Sequence, residues 1–283
     1  MLYRFLFVIL VFSSCTPVKL SVPSSFSSQA TKMHVKGLNG WMINQQLSFG
    51  NYTTSSIKRG WDFTSTVQYT KFKINPEEML LKVFDIDADH RKLNQRNKFR
   101  YMIQDGNLAA EIFATEKFSE KQLVYMRNDK NQWIDEASKT QRYEYAFSAA
   151  ILPLTVDDNE PWSLLLMNKY DAANDTARRL FDRPYVEEEG YASNGTETIN
   201  IRPLRIDKVT TKAGKETKVF GGKILTGYEL KWDDGVVAII DIMDNNIWLA
   251  NNLEARDKLI LSSIASSILL KRMQDVEKDK DNI

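Results

Sequence analysis

The hydrophobic pattern of the chain has a period of two over most of its length, which is typical of β-strands with one buried face. In residues 99–112, apolar and polar residues alternate on both sides of Asp105-Gly106. An Asp-Gly pair between alternating runs predicts a β-hairpin, because glycine adopts the positive φ that the turn needs. Residues 228–242 predict a second hairpin around Asp233-Asp234-Gly235. Its second arm, Val236–Ile242, is apolar almost throughout and is typical of a strand covered on both faces.

Four further segments have strand-like patterns: residues 122–127, 142–152, 162–170 and 196–206. Pro153 and Pro161 are expected to bound a loop over residues 154–160, because proline cannot donate a hydrogen bond to a β-ladder. Asn194-Gly195 predicts another turn.

The C-terminal segment changes to a helical period. Five apolar residues fall on one helical face: Leu261, Ile264, Ala265, Ile268 and Leu269. Asn251 followed by Glu254 resembles a capping box, so a helix is predicted from Asn252 to about Gln274. The four serines at positions 262, 263, 266 and 267 lie off the apolar stripe. This stripe is too short to span a bilayer, so we expect the helix to pack on the sheet.

These elements predict a mainly β (α+β) fold, an antiparallel twisted sheet or barrel-like sandwich with one C-terminal helix. We expect a single globular domain over residues 33–275, followed by a charged tail over residues 276–283. Residues 15–32 contain two prolines and five serines and have no apolar period, so they are predicted to be a flexible tether. The chain has 283 residues, which is enough for a sizeable core.

The N-terminus has the order of a secretory signal. Arg4 precedes the apolar run Phe5–Phe12, and the small residues Ser13 and Ser14 precede Cys15. The segment 12–15 resembles a bacterial lipoprotein signal, which implies removal of residues 1–14 and lipidation of Cys15. An ordinary signal peptide cut elsewhere and a buried N-terminal strand are the alternatives, whereas a membrane span would need about 20 apolar residues.

The resemblance implies a gram-negative cell envelope. Lipoproteins with Asp after the cysteine tend to stay at the inner membrane, and Thr16 in that position implies the outer membrane. No acidic run follows Cys15, which favours the periplasmic face of that membrane. Phe49–Thr53 with Lys58–Trp61 also resembles the opening of domains in uncharacterised gram-negative lipoproteins, a likeness that carries no known activity. In these segments Gly50 and Gly60 are expected to allow tight turns.

The charge balance and the cysteine count restrict the kinds of partner and cross-link that the chain can have. The 38 basic and 37 acidic residues give a net charge of +1, and their signs alternate along the chain. A nucleic-acid partner is therefore not expected, because such proteins carry a basic excess or stripe. Cys15 is the single cysteine, so no disulfide can form within the chain.

Candidate chemistry is sparse. His34 and His90 are the two histidines, and no G-x-S-x-G motif accompanies them, so we expect no catalytic triad and no His/Cys metal cluster. The run Asp85–His90 has alternating carboxylates but lacks the glycine and glutamate of a helix-loop-helix calcium loop. Four acids lie in strand-like segments and are candidates for carboxylate chemistry: Asp62, Glu111, Glu144 and Asp241.

Aromatic residues offer the best candidates for ligand contact. An exposed ledge is expected from Trp41, Trp61, Trp133 or Trp162, with Trp61 and Trp133 preferred, because exposed aromatic patches mark binding surfaces. The sequence thus favours a membrane-anchored, non-catalytic binding or assembly module with no cofactor and no metal. Its expected contacts are membrane lipid through Cys15 and an envelope protein or glycan. The alternative is a carboxylate-dependent hydrolase acting on a glycan or an ester.

Overall fold

The computed structural model of the protein describes residues 20–38, 45–60, 95–125, 137–154, 160–171, 187–210, 216–219 and 223–271. Within these residues the chain forms fifteen strands and two helices. The first strands, which are short, and the first helix are α1 (Ser24–Ser27), β1 (Ala30–His34), β2 (Ser48–Phe49), β3 (Tyr52–Thr54) and β4 (Lys58–Arg59). The central elements are β5 (Gln95–Gln104), β6 (Ala109–Tyr125), β7 (Ala137–Pro153), β8 (Trp162–Asp171), β9 (Glu187–Ser193) and β10 (Thr198–Ile206). The last are β11 (Lys208–Thr210), β12 (Glu216–Lys218), β13 (Ile224–Trp232), β14 (Gly235–Asp241), β15 (Asn246–Ala250) and α2 (Ala255–Leu270).

Thirteen of the strands form one antiparallel sheet, and β11 and β12 form a separate pair. The order across the large sheet is β1-β15-β14-β13-β10-β9-β8-β7-β6-β5-β3-β2, with β4 also paired to β5. Most neighbours are consecutive in the chain, as in a meander. The predicted mainly β fold, a barrel-like antiparallel sheet with one C-terminal helix, is confirmed.

The two edges of this sheet nearly meet. After β1, the N–H of Lys36 donates to the carbonyl of Ser48 at 2.9 Å, and the N–H of Ser48 donates back to Lys36 at 3.2 Å. Gly37 makes this approach feasible, since a Cβ at its position would lie 1.9 Å from the carbonyl oxygen of Gln46. Its φ of +88° is also one that glycine adopts without strain. The sheet therefore curls into a nearly closed barrel.

Both predicted hairpins are confirmed, although the second turns one residue earlier than the sequence indicates. Ile103 pairs with Ala110 across the first turn, and Trp232 pairs with Gly235 across the second. In the second turn Asp233 and Asp234 have φ of 47° and 64°, and Gly235 is the first residue of β14. Two positive φ values in a two-residue loop match the right-handed twist of the flanking strands.

The other strand predictions hold with altered bounds. Residues 122–125 of the segment predicted at 122–127 belong to the 17-residue strand β6, and residues 126 and 127 lie outside the described residues. The segment predicted at 142–152 is part of the 17-residue strand β7. Pro153 ends β7 and Trp162 follows Pro161 to begin β8, as predicted. Buried residues at successive positions 238–241 of β14 agree with a strand covered on both faces.

Ordered structure begins before the predicted domain start at Met33. Helix α1 and the first three residues of β1 lie within the segment expected to be a tether, and Ala30 pairs with Ala250. The side chain of Leu20 approaches β13 closely, within 3.3 Å of where a Cβ on Gly227 would stand. The serine- and proline-rich sequence did not indicate this ordered structure. The reason is that β1 is stabilised by pairing with a strand that lies far away in the sequence.

The core lies inside the curled sheet, around α2. The helix packs against β6, β7 and β15, and every residue from Leu259 to Leu270 is buried. The predicted burial of the apolar stripe is therefore confirmed, but the serines of α2 are buried as well. Ser263 and Ser267 bond to carbonyls one turn back, and Tyr101 bonds to Ser266 at 2.7 Å and to Ser267 at 3.0 Å.

The predicted capping box is wrong. Glu254 is the N-cap of α2, and it makes no side-chain capping bond. Asn251 bonds instead to the N-terminal segment. Its N–H donates to the carbonyl of Gln29, and its Oδ1 accepts from Thr31 at 2.6 Å. The helix also ends earlier than predicted, because Lys271 already has extended backbone angles.

Candidate functional site

Most of the predicted site residues lie outside the described residues: Cys15, Trp41, Trp61, Trp133, Asp62 and the whole run Asp85–His90. Trp162 is described and is fully buried, with its ring 5.5 Å from that of Trp232 in an edge-on arrangement. Trp162 is therefore a core residue and is excluded from an exposed aromatic ledge. Of the candidate acids, Glu111 is half-buried and Asp241 is buried.

A polar depression lies on the outward face of the sheet where β1, β15 and β14 run side by side. It has a volume of about 470 Å³ and is lined by Lys32, His34, Asp244 and Asn246. The pairing register explains the grouping, because Lys32 stands opposite Trp248 and His34 stands opposite Asn246. Alternate residues of a strand face the same side, so these side chains share the outward face while Met33 and Ile247 enter the core. We call this feature the β1–β15 depression.

A chain of hydrogen bonds holds His34 in place. Asp241 accepts from the side-chain nitrogen of Asn246 at 3.2 Å, and the Asn246 oxygen lies 3.2 Å from Nδ1 of His34. Because the Asn246 oxygen only accepts, Nδ1 of His34 carries the proton in this contact. The ring nitrogen Nε2 is then the acceptor of the neutral imidazole.

The turn between β14 and β15 fixes the acidic part of the depression. Asp241 Oδ1 accepts from the backbone N–H groups of Met243 and Asp244 at 3.0 and 3.1 Å, and Asn245 has a positive φ of 54°. This turn places the half-buried Asp244 at the rim of the depression. Its carboxylate makes no hydrogen bond or ion pair with any other described residue.

Lys32 and Trp248 form the other side. The Lys32 ammonium lies 5.4 Å from the centre of the half-buried Trp248 ring, a distance at which a cation and an aromatic face attract each other. The depression thus combines a cation, a carboxylate, an oriented imidazole and an aromatic ring at its edge.

A second polar cluster lies inside the barrel, at the C-terminal end of α2. The Lys271 ammonium donates to the Tyr228 hydroxyl at 2.5 Å, and Tyr228 donates to Glu188 at 2.7 Å. Arg205 reaches the other oxygen of Glu188 at 3.0 Å. The side chains of Lys271 and Glu188 are 0% and 1% exposed, so the charges are compensated within the protein and not by water.

Aromatic rings extend this interior cluster. Lys271 Nζ lies 5.7 Å from the Tyr145 ring centre and 4.8 Å from that of Tyr228, and Tyr145 donates to Glu116 at 3.2 Å. Burial lowers the pKa of the nearby Arg59, and the charge of Glu116 acts against this shift. A lysine also suits the negative end of a helix dipole. The cluster joins the end of α2 to β7, β9 and β13, so its role is to stabilise the fold.

No protein-family model, curated protein or solved structure matches the chain. The site must therefore be interpreted from its own geometry. Among the described residues, no three His, Cys, Asp or Glu side chains are grouped to hold a metal ion. No helix in the described part of the chain is long and apolar enough to cross a membrane.

His34 and Asp241 were both candidates from the sequence, but nothing in the sequence indicated that they belong to one site. Met33 and Val35 are apolar, so the period of two could have indicated that His34 points outward. Nothing local indicated its neighbours, because Asn246 is 212 positions away. Nothing local indicated that Lys271 is buried, because its partners Tyr228 and Glu188 come from distant strands.

Proposed function

We propose that the protein is a lipid-anchored module of the gram-negative envelope that binds a ligand without transforming it. Cys15 carries the anchor, and the protein faces the periplasm from the outer membrane. The β1–β15 depression is its binding surface. The observation that carries the binding role is the Asp241–Asn246–His34 chain, which orients an exposed imidazole beside the Asp244 carboxylate.

Geometry near the N-terminus supports the combination of anchor and site. Leu20 approaches β13, only five residues after Cys15, and five extended residues span at most about 18 Å. β1, which carries Lys32 and His34, begins ten residues later at Ala30. A lipid on Cys15 would therefore hold this side of the barrel close to the membrane surface.

The environments of the acids favour binding over hydrolysis. A carboxylate pair for hydrolysis needs two acids that converge on one substrate position. The buried acids Glu116 and Glu188 are engaged by tyrosine and arginine in the interior, and Asp241 is engaged by backbone N–H groups. The depression itself brings Asp244 together with a histidine, a lysine and an amide, which are groups that recognise polar ligands.

Photo-crosslinking tests the binding surface. Met243 is next to Asp244 and is 41% exposed, whereas Tyr191 on β9 is 40% exposed and lies several strands away in the sheet. A photo-reactive benzoylphenylalanine is placed at either position in the full chain, expressed in gram-negative cells and irradiated. We expect adducts from position 243 and none from position 191. Equal adducts from both positions, or none from position 243, would reject the depression as the binding surface.

A further inference from the structure

The unsatisfied groups of the β1–β15 depression specify the chemistry of its ligand. Asp244 is half-buried, and its carboxylate has no hydrogen-bonding or ion-pair partner among the described residues. When the His34 imidazole is neutral, Nδ1 donates to Asn246 and Nε2 is an acceptor. Two acceptors that face one depression need a ligand that brings at least two donors.

Charge then decides between hydroxyl and ammonium donors. The formal charges of Lys32 and Asp244 offset each other, so the lining is neutral overall when His34 is neutral. Lys32 would repel a cationic ligand, and its ammonium already occupies the face of Trp248 at 5.4 Å. An anionic ligand would meet the Asp244 carboxylate. The lining therefore suits a neutral ligand with several hydroxyl groups.

We propose that the β1–β15 depression binds a neutral saccharide, with neighbouring ring hydroxyls donating to Asp244 and His34. This proposal rests on the binding function assigned to the depression above. Lys32 donates to a ring or hydroxyl oxygen of the sugar. The depression has a volume of about 470 Å³ and is largely open to solvent.

Calorimetry on the full lipidated chain tests the ligand class. The protein is held in a polyoxyethylene detergent, because a glycoside detergent would compete for the site. Two probes of the same length are compared, the tetramer of N-acetylglucosamine, which is neutral, and the tetramer of glucosamine, which is cationic. Maltotetraose provides a second neutral sugar. We expect at least one neutral tetramer to bind, and to bind more tightly than the cationic one.

Substitutions locate the site. Asp244→Asn is expected to weaken binding by about tenfold or more, as the loss of a hydrogen bond to a charged group does. His34→Ala should weaken it similarly. Lys36→Ala is the matched control, since Lys36 is exposed just beyond the same strand but does not line the depression, and it should leave binding unchanged. Asp244→Asn should fold normally, because the turn uses the backbone N–H of Asp244 and not its side chain.

Each outcome has one meaning. Absence of binding by both neutral tetramers overturns the saccharide assignment, as does tighter binding of the cationic tetramer or equal binding by the Asp244→Asn variant. If the sugars fail while crosslinks at position 243 persist, the ligand class is wrong and the binding function stands. If crosslinks at position 243 fail as well, both proposals fall.

Discussion

Tyr101 is the residue with the clearest electrostatic signature in the core. It is buried on β5, and its hydroxyl contacts Ser266 and Ser267 of α2. Burial raises its pKa from 10.0 to about 12, because desolvation penalises the phenolate more than the two serine contacts favour it. Burial also raises the pKa of Tyr52, which faces the same helix at Ser262.

The raised pKa of Tyr101 predicts a loss of stability at alkaline pH. The unfolded chain releases the tyrosine proton near pH 10, whereas the folded chain holds it until about pH 12. The folded state binds more protons in this window, so the free energy of unfolding falls as pH rises through it, by about 2–3 kcal/mol for this group. Denaturant melts from pH 9 to 12 should show a shallower fall in Tyr101→Phe. Parallel curves for the two proteins would contradict the prediction.

Removing the buried charge of Lys271 is expected to lower the free energy of unfolding substantially. In Lys271→Met, Glu188 keeps Arg205 but loses the Lys271 charge and the Tyr228–Lys271 link. We expect the free energy of unfolding to fall by about 3 kcal/mol, as when a buried pair is broken on one side. Glu188→Gln should lower the free energy of unfolding less in the Lys271→Met variant than in the parent chain, because Lys271 and Glu188 interact.

Lys258 provides the matched control for this experiment. It lies in the first turn of the same helix, and its ammonium donates to the carbonyl of Asn251 at the surface. Lys258→Met should change the free energy of unfolding by less than about 0.5 kcal/mol. A similar loss for both lysines in urea melts would show that the interior cluster adds nothing special.

At the scale of elements, two Asp-Gly pairs that look alike in sequence serve different turns. Gly106 has φ of +100° in the β5–β6 turn, where Asp105 accepts from the N–H groups of residues 107 and 108. Gly235 follows a turn whose positive φ values belong to Asp233 and Asp234. Only the first glycine is required by the backbone.

This difference predicts opposite tolerances. Gly106→Ala should lower the free energy of unfolding by about 1–2 kcal/mol, because an L-residue is strained in that region. Gly235→Ala should change it by no more than about 0.5 kcal/mol, since the added Cβ would lie 3.5 Å from the carbonyl of Trp232, an ordinary contact. Thermal or urea melts of the two variants side by side provide the measurement. Equal losses would show that both turns depend on glycine.

Helix α2 shows where the period of a pattern stops being informative. The stripe of Leu261, Ile264 and Ile268 predicted which face enters the core. It did not predict that the remaining face is also enclosed, since the sheet that curls around α2 is assembled from strands far away in the chain. Three of the four serines tolerate this burial because their hydroxyls bond to carbonyls of the preceding turn, as Ser263 does to Leu259 at 2.8 Å.

For the whole molecule, the anchor is the feature that the sequence predicts most directly. Cys15→Ser should abolish incorporation of a labelled fatty acid into the protein in gram-negative cells, because the proposed anchor uses the Cys15 thiol as the acceptor of the lipid. Fractionation should then recover the variant apart from the outer membrane. Equal labelling of the variant and the parent chain would contradict the prediction.

The fold could be predicted further than the site. Hairpins such as β5–β6 are local, so an alternating pattern and a turn are enough to predict their pairing. The depression needs β1 beside β15, and the two residues of the His34–Asn246 contact come from opposite ends of the chain. No local pattern carries that information. The ordered segment before Met33 escaped prediction for the same reason, because its pairing partner is remote.

The pairing of β1 with β15 affects the order in which parts of the protein can fold. Thr31 and Asn251, which bond at the end of the β1–β15 pair, are 220 positions apart, so β1 leaves the ribosome long before its partner exists. Contacts of such high sequence separation form late and slow folding. Until β15 arrives, β1 has an unpaired backbone that could pair with another chain. The folding chain is therefore most exposed to aggregation in the interval before β1 pairs with β15.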